Sequence, residues 1–561
     1  MTYPYENLDY YTLPNLIDRS VSLYADKNSL GKVGETPMLY SELGEKIKQT
    51  VKLLQENGIS QGDKVVLLSE NMPNWAVAYF SVTYIGAVIV PVLPDFHSSD
   101  VHHILRHSEA KAVFVSDKHL ATVEESDGSS LRFIVGLDNL KIIDESRNKH
   151  HFSDLAQKTK EMAQKISNSN PRGVKEDDLA AIIYTSGTTG HSKGVMLSHK
   201  NLVTNALSTY CILEINENDV WLSILPLPHT YECTVGLIVP ILNGASIFYI
   251  DKAPTPSVLL KAFEIIKPTM MLSVPLIIEK IYKNKILPKF NGSLLMRLLY
   301  KIPFVRKKLN KIAGKKLIET FGGRLKFFGI GGAPLSSFVE KFLIEAEFPF
   351  TVGYGLTETA PLLAGTSLSV KPKFTSTGPA FYGVQLKIKN PDPISGEGEI
   401  IAKSPSVMIG YYKDKKITDE VMEDGWFLTG DLGYMDDEGF LFIRGRSKNV
   451  IIGSDGKNIY PEQLESIIAQ NEAVVDSLVM EQDGKLIARV HLDYELMDQR
   501  FNANKNTDAK VSEDIIKFLE EMRVEVNEQV APSSKMIKFV EQIEPFVKTP
   551  TKKIKRYLYT E

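Results

Sequence analysis

Cysteine is scarce in this chain, which has two, Cys211 and Cys233, among its 561 residues. Two cysteines cannot build the disulfide framework of a small secreted protein, so we expect a reducing compartment. The first ten residues have neither the basic end nor the apolar core of a signal peptide. Together these absences predict a cytoplasmic protein.

A strong charge of one sign is also lacking, because 65 Lys and Arg residues stand against 69 Asp and Glu residues, for a net charge of -4. So small a net charge indicates no particular partner, and we expect no nucleic acid among the partners. The uncharged run from Trp75 to Pro94 is interrupted by Gly86 and Pro91. This pattern predicts a buried helix at 75–84 followed by a buried strand at 87–92. A membrane-spanning helix is the alternative for this run.

Short β-branched runs alternate with helix-length segments along most of the chain. The runs that we expect to be strands are 64–69, 110–116, 181–184, 246–250 and 325–330. Strands spaced by helices predict an α/β fold with largely parallel sheets. From about residue 384 the sequence changes to short strands and tight turns, which predicts a β-rich sub-lobe at about 384–446. We therefore expect a large multi-lobed N-terminal domain, residues 1–446, and a small α+β C-terminal domain, residues 447–561.

A loop rich in glycine and hydroxyl residues, from Tyr184 to Val195, follows an apolar run. Glycines let backbone N–H groups turn toward an anion, hydroxyls add donors and Lys193 supplies positive charge, so the loop predicts a phosphate-binding site. The spacing differs from that of the P-loop, because Gly187 and Gly190 are three residues apart and Gly194 follows the lysine. A Ser/Thr-rich surface turn is the alternative.

Four further segments combine glycines, aromatic rings and charges in ways that suit a nucleotide, namely 329–334, 351–359, 424–446 and 546–556. Glycine-rich backbone lets a flat ring lie against it, and a carboxylate such as Glu358 suits a hard cation beside phosphate oxygens. Asp431 can accept two ribose hydroxyls, and the guanidinium of Arg446 can bind ribose or phosphate oxygens. Taken singly, each segment is also typical of a turn, a helix start or a basic tail.

In this order, the five segments resemble the signature motifs of the adenylate-forming superfamily, which includes acyl-CoA synthetases, peptide-synthetase adenylation domains and beetle luciferases. The resemblance covers roughly residues 10–560. It implies ATP and Mg²⁺, with coenzyme A as the co-substrate. The residues that it places on the β- and γ-phosphates are Thr185, Ser186, Gly187, Thr188, Thr189 and Lys193. Those that it places around adenine and ribose are Gly332, Ala333, Pro334, Tyr354, Gly355, Asp431 and Arg446.

The resemblance also implies roles in catalysis. Thr357 contacts the α-phosphate, and Glu358 holds the metal together with Thr185. A lysine of the terminal motif bridges the substrate carboxylate and the α-phosphate. Position by position this lysine is Lys553, but Lys552 stands where the family has glycine and is a second candidate.

A hinge is implied as well, because one site must first form acyl-AMP and then admit a thiol. Lys448 matches the hinge position about which the C-terminal domain moves. The loop at 452–461 would then line the site for thioester formation.

The substrate is indicated by two segments, 225–232 and 273–282, which resemble those of long-chain acyl-CoA synthetases. His229 stands where the family has a gate near the acyl carboxylate, and Glu232 matches an acidic residue of long-chain members. Cys233 departs from the arginine that usually follows. The expected activity is a long-chain fatty acid–CoA ligase. An acyl-AMP ligase or carrier-protein synthetase, a medium-chain or aryl acid ligase, and a non-catalytic lipid-sensing relative are the alternatives.

The segment 283–326 is rich in lysine and arginine interleaved with leucine, isoleucine and phenylalanine, and Glu319 is its only acid. An amphipathic basic surface of this kind can lie on anionic lipid. We therefore expect peripheral contact with the inner face of a membrane, where fatty acid would be collected. A solvated helical face is the alternative.

Overall fold

The structure is a computed structural model, and it describes residues 8–126, 130–143, 173–185, 192–453, 456, 458–501, 508–549 and 553–559.

The α-helices of these segments are numbered in chain order. They are α1 Leu13–Leu23, α2 Tyr40–Glu56, α3 Pro73–Tyr84, α4 Ser98–Ser108, α5 Leu120–Glu124, α6 His199–Ser208, α7 Val239–Leu242, α8 Pro256–Ile266, α9 Pro275–Ile281, α10 Leu287–Asn291, α11 Leu294–Lys301, α12 Pro303–Thr320, α13 Ser337–Glu345, α14 Lys415–Val421, α15 Pro461–Ile468, α16 Tyr494–Phe501 and α17 Asp508–Asn527. Two π-helical stretches, Glu232–Ile238 and Tyr282–Ile286, join onto α7 and α9.

The strands are numbered in the same way. They are β1 Asn28–Lys32, β2 Met38–Leu39, β3 Lys64–Leu68, β4 Val88–Val92, β5 Ala112–Val115, β6 Phe133–Gly136, β7 Lys141–Ile142, β8 Leu179–Thr185, β9 Lys193–Ser198, β10 Val220–Ser223, β11 Ser246–Tyr249, β12 Met270–Ser273, β13 Phe327–Ile330, β14 Phe350–Gly355, β15 Leu362–Gly365, β16 Gln385–Lys389, β17 Gly398–Lys403, β18 Gly410–Tyr411, β19 Met422–Glu423, β20 Trp426–Met435, β21 Leu441–Arg446, β22 Ile451–Ile452, β23 Asn458–Ile459, β24 Val474–Gln482, β25 Lys485–Leu492 and β26 Lys538–Glu541. All five runs predicted as strands are confirmed, with ends shifted by one or two residues.

The first large sheet has eight strands in the order β15-β14-β13-β12-β10-β11-β1-β2. The pairs from β14 through β1 are parallel, whereas β15 and β2 run antiparallel to their neighbours. Pairing of Ser273 with Ile330, and of Ile330 with Val352, brings the carboxyl ends of β12, β13 and β14 to one edge. The segments 329–334 and 351–359 lie at this edge, where open α/β sheets bind their ligands.

The second large sheet has the order β18-β9-β8-β4-β3-β5-β6-β7. Its strands β8, β4, β3, β5 and β6 are parallel, and β9 returns antiparallel along β8. Thr185 pairs with Lys193 at the end of this hairpin, so the glycine-rich loop leaves the sheet between these two residues. With both sheets largely parallel and helices packed between them, the α/β fold class is confirmed.

The uncharged run at 75–94 is a buried helix and strand, as predicted. Every residue of α3 from Trp75 to Thr83 is buried, and so is every residue of β4. Within the part of the chain that the structure describes, helices long and apolar enough to cross a membrane are absent.

The β-rich sub-lobe is a separate five-stranded sheet in which β20 lies between β17 and β21. Its register places Asp431 directly opposite Arg446. A single 3₁₀ turn, Ser447–Asn449, follows β21 and contains the residue expected at the hinge.

The chain beyond this turn has its own hydrophobic core. Residues from Ile459 to Phe539 contribute to it, including Leu464, Ile468 and Phe518. The core packs α15 and α17 onto the sheet β24-β25-β26. The division into domains at residues 446 and 447 stays a prediction.

Candidate active site

A charged cluster lies where β14 meets the β-rich sub-lobe. The Tyr354 hydroxyl donates a hydrogen bond to the Asp431 carboxylate at 2.7 Å. The Arg446 guanidinium lies 2.9 Å from the same carboxylate and also donates to the Thr429 carbonyl at 3.2 Å. Burial raises the pKa of Asp431, while Arg446 and Tyr354 oppose that shift. Tyr354 is itself buried against Ile400 and Leu441, so it ties the large sheet to the sub-lobe.

Lys553 reaches this cluster from the far end of the chain. Its segment is a tight turn in which Lys548 pairs with Ile554 and the Thr549 hydroxyl accepts from the Lys553 backbone at 3.1 Å. Surrounding protein, and the charge of Arg446, lower the pKa of its ammonium group, whereas Asp431 and Glu358 act in the opposite direction. Lys553 is nevertheless exposed to solvent, and we call the space between it and the Asp431 cluster the cleft.

The turn that carries Lys553 is anchored on the C-terminal core. Lys548 forms an ion pair with Asp476 at 2.7 Å, and Arg556 forms one with Glu465 on α15. Burial raises the pKa of Glu465 to about 7, and the Arg556 charge limits the increase. The position of Lys553 therefore depends on how α15 lies against the rest of the protein.

His229 borders the same cleft. Burial and the Lys553 charge lower the pKa of its imidazole to about 4, so it is neutral at physiological pH. Its Nδ1 accepts from the Tyr231 backbone N–H at 3.3 Å, which orients the ring. A neutral imidazole can bind a carboxylate or carbonyl substrate without carrying charge into the cleft.

Glu358 and Lys193 come together through a residue that our sequence analysis missed. Tyr411 donates to the Glu358 carboxylate at 2.8 Å, and the Lys193 ammonium lies 5.3 Å from the centre of the Tyr411 ring. The two-residue strand β18 pairs with β9 and holds Tyr411 there. In the sequence, Tyr411 is marked by a Gly-Tyr pair after an apolar run, which is a weak signal for a site residue. Its strand pairs with residues more than 200 positions earlier, and a local pattern does not predict such pairing.

Thr357 and Glu358 lie in the single 3₁₀ turn Thr357–Thr359, with Leu356 at its N-cap, so the alternative of a helix start holds here in the form of a short 3₁₀ turn. The preceding Gly355 has no room for a side chain, because a Cβ there would lie 1.9 Å from the Pro361 carbonyl oxygen. The residue before this turn therefore has to be glycine or the backbone has to move.

The glycine-rich loop is described only at its two ends. Thr185 donates to the Lys193 carbonyl at 3.5 Å, and both residues lie at the sheet edge. Four other expected phosphate contacts and the second candidate for the bridging lysine lie outside the described residues; they are Ser186, Gly187, Thr188, Thr189 and Lys552.

The loop expected at adenine presents backbone to the cleft. Gly332, Ala333 and Pro334 are exposed, and Gly332 has φ +85°, a conformation that side chains disfavour. The Tyr231 ring packs under the loop, within 3.1 Å of where a Cβ on Gly331 would lie. An exposed, flat, glycine-bearing surface of this kind fits an aromatic base.

Behind His229, a buried polar chain supports the segment 225–232. Asn71 donates to the Ser223 hydroxyl at 3.1 Å, and Ser223 donates to the Glu232 carboxyl at 2.6 Å. Burial raises the pKa of Glu232 to about 8, so this carboxyl is protonated near neutral pH. Asn71 also accepts from the Leu227 N–H at 2.9 Å, a role that nothing in its local sequence indicated.

The residues of the cleft fit a nucleoside triphosphate and one hard cation. Glu358 and Arg446 are electrostatic neighbours of Lys553, and Lys193 lies on the ring of Tyr411, which binds Glu358. Groups of three or more His, Cys, Asp or Glu side chains that could hold a metal are absent from the described residues. A cation here would therefore depend on Glu358 and on phosphate oxygens, as Mg²⁺ commonly does.

Residues 17–412 match the family described as AMP-binding enzyme. Because the match covers most of the chain and spans both large sheets, the protein belongs to the family of AMP-binding enzymes.

Two curated relatives extend the likeness beyond the family match. The long chain acyl-CoA synthetase 1 of Arabidopsis thaliana is 30% identical over 514 residues, which are 82% of this chain and 76% of that protein. A long-chain-fatty-acid–CoA ligase of Bacillus subtilis is 27% identical over 502 residues, covering 83% of this chain and 82% of that protein. Among solved structures, an anthranilate CoA ligase in complex with anthranoyl-AMP has a TM-score of 0.76 at 19% identity, with 100% of this chain and 98% of that chain covered.

Proposed function

We propose that this protein is a long-chain fatty acid–CoA ligase that converts a fatty acid, ATP and coenzyme A into acyl-CoA, AMP and pyrophosphate. The observation that carries the proposal is the convergence of Lys553, Glu358, Asp431 and Arg446 in one cleft. They come from three distant parts of the sequence, and a fold that only bound lipid would not need them together.

In the first half-reaction a substrate carboxylate oxygen attacks the α-phosphorus of ATP, and pyrophosphate leaves. No nucleophile from the protein is required, so catalysis consists of positioning and neutralising phosphate charge. Lys553 would bridge the carboxylate and the α-phosphate, with Thr357 as a second donor. Asp431 and Arg446 would hold the ribose, Lys193 and Thr185 the outer phosphates, and neutral His229 would border the carboxylate.

Mg²⁺ supplies charge neutralisation on the phosphates when bound, and Glu358 would hold it. The Tyr411 hydroxyl keeps this carboxylate oriented toward the cleft, and the Tyr411 ring steadies Lys193. The expected contribution of Thr185 to the metal stays part of the proposal.

In the second half-reaction the thiol of coenzyme A attacks the acyl carbon of acyl-AMP, and AMP leaves. Lys553 lies near Arg446, Asp431 and Glu358, and this proximity supports the proposal that the arrangement is the one for adenylation. We infer that residues 447–561 form a mobile domain that turns about Lys448 between the steps. The 452–461 loop would then line the cleft in place of Lys553.

A long acyl chain is favoured over an aryl or medium-chain acid by the curated relatives, which are named long-chain acyl-CoA synthetase and long-chain-fatty-acid–CoA ligase. The alternative of an aryl acid is supported by the structural similarity to an anthranilate CoA ligase. At 19% identity, however, that similarity shows the fold alone. Coenzyme A is favoured over a carrier-protein thiol by the same relatives.

We also infer a membrane-facing surface in the basic segment 283–326. Helix α11 and the start of α12 expose an apolar crest, whose members are Leu294, Leu295, Leu298, Ile302 and Phe304. Exposed lysines lie on the same two helices, namely Lys301, Lys307, Lys308, Lys315 and Lys316. Apolar side chains together with exposed cations complement an anionic lipid surface.

Part of the segment's positive charge is used within the protein. Arg306 forms a bidentate ion pair with Glu345 on α13, and the Lys311 ammonium lies 2.6 Å from the Glu347 carboxylate. The sequence segment itself contains one acid, so these partners come from the tertiary fold. The membrane-facing charge is accordingly smaller than the composition of the segment implies.

Pyrophosphate release over a panel of carboxylic acids tests the proposed function. We expect ATP- and acid-dependent release that is greatest with long-chain fatty acids, with acyl-CoA as the product when coenzyme A is present. Aryl acids and a carrier protein in place of coenzyme A provide the comparison arms. Absence of carboxylate-dependent ATP–pyrophosphate exchange would overturn the enzyme assignment.

A further inference from the structure

Lys283 lies on the π-helical stretch Tyr282–Ile286 of the large N-terminal part, yet its ammonium group binds the C-terminal part. It donates to the Ala469 carbonyl and, at 3.4 Å, to the Asn471 carbonyl. Ala469 is the C-terminal cap of α15. The last carbonyls of a helix carry partial negative charge and lack partners within the helix, so a lysine is well suited to them.

The environment of Lys283 shows that this contact is enclosed. Burial lowers the pKa of its ammonium group, and Glu279 and Glu472, one from each side of the contact, oppose the decrease. Glu279 also accepts from the Ser336 backbone N–H at 2.9 Å, next to the loop expected at adenine. Lys283 is thus held by an element that is rigidly joined to the cleft.

Helix α15 transmits this contact to Lys553. Its residue Glu465 anchors Arg556, and Arg556 belongs to the same terminal segment as Lys553. Near the hinge the contacts are different: Tyr460 donates to Glu397 at 2.8 Å, and Gln463 donates to the Arg444 carbonyl at 3.2 Å. A contact close to the hinge restrains rotation of the C-terminal part weakly. The Lys283 contact lies at the end of α15 that is farther from the hinge, so it restrains the same rotation more strongly.

We propose that Lys283 is a positioning residue that latches α15 in the orientation that puts Lys553 into the cleft. The latch stabilises the adenylation arrangement and must open before thioester formation. This inference rests on the proposed function for its effect on catalysis, whereas its effect on docking of the C-terminal segment is independent of any activity.

The test compares wild type with Lys283→Met, which keeps the length of the side chain and removes its charge. Lys261→Met on the exposed surface of α8 is the matched control for loss of a lysine. Lys283→Arg is the rescue variant, since a guanidinium can donate to the same carbonyls. Thermal unfolding of each variant checks that the fold is intact.

Hydrogen–deuterium exchange of the backbone amides in 461–471 and 546–559 measures directly how firmly α15 and the terminal segment are held. We expect exchange there to accelerate about tenfold in Lys283→Met, the change that loss of one hydrogen bond from a charged group produces. Lys261→Met and Lys283→Arg should resemble wild type. Unchanged exchange in Lys283→Met would overturn the latch, whatever the enzyme does.

The two half-reactions supply the second readout. We expect Lys283→Met to lower ATP–pyrophosphate exchange by up to about tenfold, the factor expected for the change in hydrogen–deuterium exchange. Thioester formation from supplied acyl-AMP should be unchanged or faster. Equal losses in both half-reactions would contradict the positioning role, and absence of both in wild type would instead refute the proposed function.

Discussion

The Tyr354 hydroxyl donates to the Asp431 carboxylate at 2.7 Å, across the junction between the large sheet and the β-rich sub-lobe. This bond orients a buried carboxylate that also forms an ion pair with Arg446. A tyrosine expected to lie on adenine therefore also prepares the group expected to bind ribose.

Tyr354→Phe keeps the ring and removes this donor. A hydrogen bond to a charged group contributes about 1.5–3 kcal/mol, so we expect KM for ATP to rise about tenfold or more, with a smaller change in kcat. Tyr434→Phe on the same sub-lobe, where the ring stacks on Phe442, is the control. An unchanged KM for ATP in Tyr354→Phe would contradict the role given to Asp431.

Tyr411→Phe tests the support of Glu358. Without the hydroxyl, the carboxylate loses a donor that holds it toward the cleft, so we expect the Mg²⁺ concentration for half-maximal adenylation to rise about tenfold. Tyr412→Phe, the adjacent residue packed against His107, is the matched control. Should both variants keep the Mg²⁺ dependence of wild type, Glu358 does not bind the metal through this arrangement.

Lys553→Ala and Lys552→Ala decide between the two terminal lysines. Because Lys553 faces Asp431, Glu358 and His229, we expect its loss to slow adenylation about 100-fold or more, as removal of a transition-state donor does. Thioester formation from supplied acyl-AMP should be largely spared, and Lys552→Ala should retain both half-reactions. The reverse pattern would assign the bridge to Lys552.

Glu232→Gln should change how stability depends on pH. The pKa of Glu232 is raised to about 8 in the folded protein, from an ordinary value near 4.5, so the folded state keeps a proton that the unfolded state releases above that value. The free energy of unfolding of wild type should therefore fall between about pH 5 and pH 8 relative to Glu232→Gln, by a few kcal/mol in total, at most about 1.4 kcal/mol per pH unit.

Chemical denaturation of both proteins across pH 5–9 measures this difference. The neighbouring Tyr231, Cys233 and Tyr249 all have a raised pKa and stay neutral over most of this range, so the difference reports Glu232. Parallel pH profiles for the two proteins would show that Glu232 is ionised in the fold.

The apolar crest of α11 and α12 can be tested with vesicles. Replacing Leu294, Leu298 and Phe304 by serine should weaken binding to vesicles of anionic lipid about tenfold or more, since each buried apolar side chain contributes about 1.5–3 kcal/mol. Co-sedimentation at low and high salt measures it. Ile394→Ser, at a residue 97% exposed in the sub-lobe, is the control and should bind like wild type. Failure of wild type to bind anionic vesicles at low salt would refute the membrane contact.

Much of the site can be predicted from sequence because its parts are short local motifs. Asp431, Arg446, Glu358 and Lys193 were all found from charge, glycine and hydroxyl patterns, and the structure brings all four to one cleft. Tyr411, Asn71 and Lys283 were missed, because each acts through partners between about 50 and more than 200 residues away. Arg306 was expected on an open basic surface. It instead forms an ion pair with Glu345, because α12 packs against α13.

The sequence by itself determined the α/β class and the buried helix and strand at 75–92, because hydrophobic periodicity carries that information. Tertiary structure decided which charges meet. It placed Lys553 beside His229, raised the pKa of Glu232 by burial, and joined Lys283 to the end of α15. These properties depend on distance and desolvation between segments far apart in the chain, which no local pattern of residues can encode.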